Sequence, residues 1–180
     1  MENKASTRVA FCGLFAAFML VVMLLGTAIP MTTFLAPALA GALVIPIVWE
    51  FGRKAGLLLY IAVSILSLIL APDKEAAFLF LFLLGWYPIL RPTIQHISSK
   101  AGRVVVKLAI CLVSVTAVYA LLLFVFTMPD LHAEAASWTL PLLLVFLVLG
   151  CVTFLLYDQL LGRCRELYVR RLRPKLFRNH

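Results

Sequence analysis

The stretch VAFCGLFAAFMLVVMLLG, residues 9–26, runs for eighteen residues without a charge and is preceded by the cations Lys4 and Arg8. As a helix rising about 1.5 Å per residue it reaches about 27 Å, close to the hydrocarbon thickness of a bilayer. Lipid offers no water to backbone N–H and C=O groups, so a run this apolar enters it as a helix. The short basic start and the small residues Gly26-Thr27-Ala28 also fit a secretion signal. Removing this helix would leave five spans to orient the same basic loops, so an uncleaved first helix is the simpler expectation.

Five more apolar runs follow, at residues 33–49, 55–71, 76–90, 104–128 and 138–161, with a basic tail at 162–180. Threading all six through a bilayer puts fifteen of the sixteen Lys and Arg residues on one side: Lys4 and Arg8; Arg53 and Lys54; Arg91, Lys100, Arg103 and Lys107; and seven from Arg163 to Arg178. Only Lys74 falls opposite. Short loops beside spanning helices retain Lys and Arg in the cytoplasm, so the split predicts an all-α, six-helix membrane bundle with both termini cytoplasmic. The composition agrees: 64% hydrophobic and 13% charged, with a mean hydropathy of +1.06. A soluble core could not be covered by so little polar surface. One domain in the cell membrane is expected, its tail meeting anionic lipid headgroups; that tail has few groups with which to read bases, so nucleic acid is not an expected partner.

Details within the runs carry further expectations. Pro46 cannot donate to the carbonyl of Ala42, which predicts a kink in the second span. Tyr60, Ser64 and Ser67 line the third, the two serines with hydroxyls expected to bond back to their own helix. Pro72-Asp73-Lys74-Glu75 reads as the start of the fourth span, its acids at the positive helix end. That span closes on Trp86-Tyr87, expected to be an aromatic belt at the inner headgroup level. The 25-residue fifth span must tilt or project, with Lys107 snorkelling inward. Asp158 is expected to be an interfacial charge within reach of water or Arg163. Cys12, Cys111, Cys151 and Cys164 lack metal-ligand spacing; the first three read as packing residues and Cys164 as a reduced thiol among cytoplasmic cations.

Catalysis has no visible constellation. His96, His132 and His180 are scattered, with no nucleophile or carboxylate beside them at a motif spacing, so neither a catalytic nor a metal site is expected. There is no Walker loop and no dinucleotide fingerprint, hence no expected cofactor and no means of hydrolysing ATP in this chain. No acid is expected near the midplane, which argues against an autonomous ion-coupled carrier. Two features remain. Ser6, Ala10, Gly13 and Ala17 place small residues on one face of the first helix, permitting close approach by a neighbour within the bundle or by another membrane protein. Ala36 and Ala40 repeat the pattern in the second span. The external loops bring Asp73, Lys74 and Glu75 in one turn and Asp130, His132 and Glu134 in another, with Trp138 nearby, and these could close a polar lid over a substrate pocket.

The small face Ala10, Gly13 and Ala17, the six spans and the length together make the chain similar to the substrate-binding S components of energy-coupling factor transporters. Here Gly13-x-x-x-Ala17 stands where that family usually has Ala-x-x-x-Ala. Pro72-Asp73-Lys74-Glu75-Ala76-Ala77 and Gly85-Trp86-Tyr87-Pro88 look like segments of uncharacterised members of the same group. The resemblance implies capture of a small molecule, vitamin-like or a related micronutrient, through the loops joining spans one to two, three to four and five to six. It also implies dependence on a separate membrane coupling subunit, docked at Ala10, Gly13 and Ala17, and on cytoplasmic ATPases. An alternative is a non-transporting scaffold similar to bacterial cell-shape proteins of the MreD type, and a third is a membrane enzyme using Asp73, Glu75 and His132.

Overall fold

A computed structural model describes residues 2–27, 32, 34–124 and 140–172, and among these all regular structure is helical. The helices are α1 (Glu2–Thr27), α2 (Leu35–Ala42), α3 (Val44–Leu70), α4 (Lys74–Leu79), α5 (Tyr87–Gln95), α6 (Lys100–Phe124) and α7 (Leu140–Leu167). Wide π-helical turns lie at Phe80–Leu84, between α4 and α5, and at Tyr168–Leu172, beyond α7. Among the described residues, five stretches are long and apolar enough to cross a membrane: Arg8–Gly26, Val44–Leu70, Lys74–Gln95, Lys100–Leu121 and Leu147–Arg170.

The count differs from six because α3 runs across the junction between the second and third runs, and its geometry explains how. Regular helix is interrupted at Leu43, one residue past Ala42, whose carbonyl loses its donor to Pro46, so the interruption falls where the kink is expected. The backbone at Leu43 stays near helical (φ −69°, ψ −12°), and residues 35–51 form one continuous path. Gly52 is different. At φ 82° and ψ 174° it lies in territory open only to glycine, and it interrupts α3. A straight helix would carry Gly56 about 12 Å along the axis from Val48. Instead a Cβ on Gly56 would sit 2.3 Å from Val48 Cγ2 and 3.7 Å from Val44 Cγ1. The chain therefore doubles back at Gly52, and residues 53–70 return alongside residues 44–51.

The stretch Lys74–Gln95 is the centre of the bundle: 61% of its apolar window is buried, against 11–33% for the other four. Its π turn follows from hydrogen-bond supply. Gly85 N–H reaches back five residues to the Phe80 carbonyl (2.8 Å), which deprives Leu81 of its donor. Tyr60 from α3 supplies one, its hydroxyl donating to Leu81 O at 2.6 Å. Pro88 has no N–H for Leu84, and Tyr157 from α7 donates to that carbonyl at 2.8 Å. Two neighbouring helices thus repair the backbone of the central one. Gly41 on α2 makes room at the second repair, since a Cβ there would lie 2.2 Å from Leu84 O and 2.4 Å from the Tyr157 hydroxyl oxygen.

Two apolar clusters flank this centre. Met19, Met23, Ala40, Val44, Ile47, Leu59, Val63 and Phe80 pack α1, α2 and α3 against the central stretch, while Leu83, Tyr87, Val118, Phe154, Tyr157 and Leu161 pack α5, α6 and α7. Large apolar side chains such as Leu14, Phe18, Leu58, Ile69, Val113 and Leu149 face outward, a surface that suits lipid better than water. The basic segments meet at one end of the bundle. Phe11, near the start of α1, packs on Phe51 (5.7 Å between ring centroids), Arg165 of α7 lies 4.5 Å over the Trp49 ring, and Tyr168 donates to Glu50 Oε1 at 3.2 Å. Lys74 sits at the other end, where it closes α3.

Candidate functional site

At the end away from the basic segments, the residues expected to bind substrate have local duties. Asp73 Oδ1 accepts from Ala76 N–H at 3.1 Å and caps the central helix. Lys74 Nζ donates to the carbonyls of Leu68 (2.8 Å) and Ala71 (3.0 Å), satisfying the C-terminus of α3. Tyr119 of α6 donates to Glu75 Oε1 at 2.8 Å, tying the first turn of α4 to α6. The three side chains pin the ends of three helices around the Ala71-Pro72 turn. Asp130, His132, Glu134 and Trp138 lie outside the described residues. Among the described residues, no three His, Cys, Asp or Glu side chains gather in a way that could hold a metal ion.

The small-residue face points outward. Ala10, Gly13 and Ala17 are all exposed, and a Cβ on Gly13 would meet nothing within 4 Å. Packing of α1 within the bundle uses the opposite side, through Met19 and Met23, and Gly26, whose absent side chain admits Ala36 of α2. Among the described residues, no helix of the bundle packs on this stripe.

The strongest polar centre lies at the basic end, between α5, α6 and α7. Asp158 is 7% exposed, so its carboxylate meets neighbouring side chains rather than the water expected beside it. Its Oδ1 accepts from the Tyr87 hydroxyl (2.7 Å) and from Arg91 Nε (2.8 Å), and its Oδ2 accepts from Lys107 Nζ (2.5 Å). The expected route to Arg163 is not taken, because Arg91 and Lys107 arrive from two other helices. Lys107 likewise turns into the bundle rather than snorkelling, leaving 14% of its side chain exposed. Tyr87 is fully buried against Phe154, with ring centroids 4.7 Å apart, so it is a core anchor and not half of an aromatic belt. Its neighbour Trp86 donates from Nε1 to the Phe82 carbonyl. The carboxylate accepts from three donors, two of them cationic, and the group carries a surplus positive charge.

Arg91 joins this centre to an open cleft of about 400 Å³ lined by Trp49, Gln95, Gly162, Arg165, Glu166, Val169 and Arg170 as well as itself. Gly162 leaves the space the guanidinium occupies: a Cβ there would stand 2.9 Å from Arg91 Nη2. The Gln95 amide oxygen, in the orientation that satisfies both groups, accepts from Nη1 at 3.0 Å and Nη2 at 3.2 Å. No protein-family model, curated protein or solved structure matches this chain. Its chemistry therefore rests on these groups. Asp158 and its cations form a lock between helices, and the cleft outside it offers guanidinium donors to a ligand.

Reasoning along the chain did not bring this site together. Its signal was present in the two charges inside apolar runs, Lys107 and Asp158, of opposite sign and with no partner in their own segment. Charges in such surroundings seek each other or a backbone carbonyl. Arg165 and Arg170 fall in the basic tail expected at 162–180, and α7 and its π turn carry them on a helical path that runs to Leu172.

Proposed function

We propose that this chain crosses the cell membrane six times, with both termini in the cytoplasm, and serves as the substrate-capture subunit of a small-molecule uptake system whose energy comes from a separate coupling subunit and ATPases. Support for six crossings is the hairpin at Gly52, which lets residues 35–51 and 53–70 count as separate passes. The observation that carries the capture reading is the bare stripe Ala10, Gly13 and Ala17, exposed on α1 and unused in packing among the described residues. A smooth face of this kind allows another helix to approach closely in lipid, where dispersion and weak hydrogen bonds drive association. The lack of any nucleotide-binding motif in the sequence makes a separate energy source necessary for uptake.

Purification of the full chain from native membranes in mild detergent tests this reading. A coupling subunit and an ATPase should accompany the unaltered chain and be lost from Gly13→Leu and Ala17→Leu variants whose thermal midpoints are unchanged. Recovery of the chain without either component, or equal recovery with the variants, would overturn it.

One observation favours a scaffold instead. Asp73, Lys74 and Glu75 serve helix ends and Tyr119, which leaves fewer polar groups for a substrate at that face. A scaffold would show no ligand-dependent thermal shift across a panel of vitamins and trace metals, whereas a capture subunit would respond to at least one of them.

A further inference from the structure

We infer that the cleft between α5, the end of α7 and Trp49 is a binding site for a phosphate-bearing anion. Three guanidinium groups line it: Arg91 from α5, and Arg165 and Arg170 from α7 and the turn that extends it. Arg91 is already oriented. Its Nε is held by Asp158 and its terminal nitrogens meet Gln95, a fixed planar group of five N–H donors with two still open. Arg165 lies over the Trp49 ring at 4.5 Å, a cation–π contact that positions the guanidinium without engaging its N–H donors in a hydrogen bond. Such forks match phosphate oxygens two at a time.

Charge balance points the same way. Among the described residues, Arg91, Lys107, Arg165 and Arg170 stand against the carboxylates Asp158 and Glu166, with Glu50 at the edge bonded to Tyr168, so cations outnumber acids across the cleft and the centre behind it. Arg91 is partly withdrawn from water, with 12% of its side chain exposed, and there its attraction for an anion is less screened; Arg165 and Arg170 stand at the exposed mouth. A volume of about 400 Å³ lies within the range of small-ligand sites. The cleft opens at the basic end, beside Trp49 and the outward apolar faces of α7, a position where a lipid headgroup or a dissolved phosphate compound would bring the same chemistry. The inference is independent of whether the chain captures a substrate or acts as a scaffold.

The test uses the full chain in phosphatidylcholine nanodiscs with two probes: phosphatidylglycerol mixed into the disc, read by native mass spectrometry, and inorganic pyrophosphate in solution, read by thermal shift. The Arg165→Ala/Arg170→Ala variant removes two exposed side chains and leaves Asp158 paired. The Arg53→Ala/Lys54→Ala variant removes the same charge from the exposed hairpin tip. Retention of phosphatidylglycerol should fall roughly tenfold or more in the first variant and stay near the original level in the second. Glu166→Gln should strengthen retention. If pyrophosphate shifts the unaltered chain and not the Arg165/Arg170 variant, while lipid retention is the same in both, the site is upheld and its ligand is soluble. Equal losses in the two variants, or no difference from the unaltered chain with either probe, would overturn the proposal.

Discussion

Asp158 has three donors on two other helices, and its replacement has an uneven cost. Asp158→Asn leaves Arg91 and Lys107 buried without a counter-charge, so it should destabilise the bundle by about 3–5 kcal/mol, seen as a lower unfolding midpoint in detergent micelles. Lys107→Met keeps the Arg91 pair and should lose clearly less; similar losses for the two would mean that Asp158 is solvated and the lock absent. Tyr157→Phe keeps the ring and removes the donor to Leu84 O, which Pro88 cannot replace. The same unfolding assay should show a loss of about 1–3 kcal/mol. Among the glycines, position decides. Gly41→Ala would drive a methyl group into the Leu84 carbonyl and lower the midpoint, whereas Gly13→Ala, in open space, should stay within about 0.5 kcal/mol of the original. Composition could not separate these two glycines, because both sit in apolar helical runs and differ only in what lies across from them.

Each departure from a plain helix has a nameable cause. Pro46 frees the Ala42 carbonyl and the regular helix stops at Leu43; Pro88 and Gly85 withdraw donors from Leu84 and Leu81, and tyrosines from α7 and α3 take their place. The first effect was readable from one proline and its fourth predecessor. The π turn was not, since Gly85 chose Phe80 over Leu81 only once Tyr60 was available to serve Leu81. Gly52 is the clearest test at this scale. At φ 82° any other residue is strained, so Gly52→Ala should cost about 1–3 kcal/mol in the unfolding assay. If it costs nothing, the hairpin is not held at that position.

Across the whole molecule, the hairpin makes a topological prediction. In a background with the four cysteines replaced by alanine, Lys54→Cys and Ser99→Cys should react with a membrane-impermeant thiol reagent from the same side, and Pro72→Cys from the other. Labelling of Lys54→Cys and Pro72→Cys from the same side would mean that residues 53–70 do not cross the membrane. The apolar runs, the basic loops and the Asp73 helix start were legible in sequence because each depends on a local property measured against an outside reference: the thickness of lipid, the retention of Lys and Arg, the needs of a helix end. Transfer into a bilayer is a sum over neighbouring residues, so a string suffices to estimate it. The division of labour between Gly13 and Gly41, the burial of Tyr87 and the convergence of Arg91, Lys107 and Asp158 from positions 51 to 67 residues apart were decided by the tertiary structure alone. Buried charges and orphaned carbonyls are satisfied by whichever partner the packing brings within about 3 Å, and that distance is a property of the folded bundle.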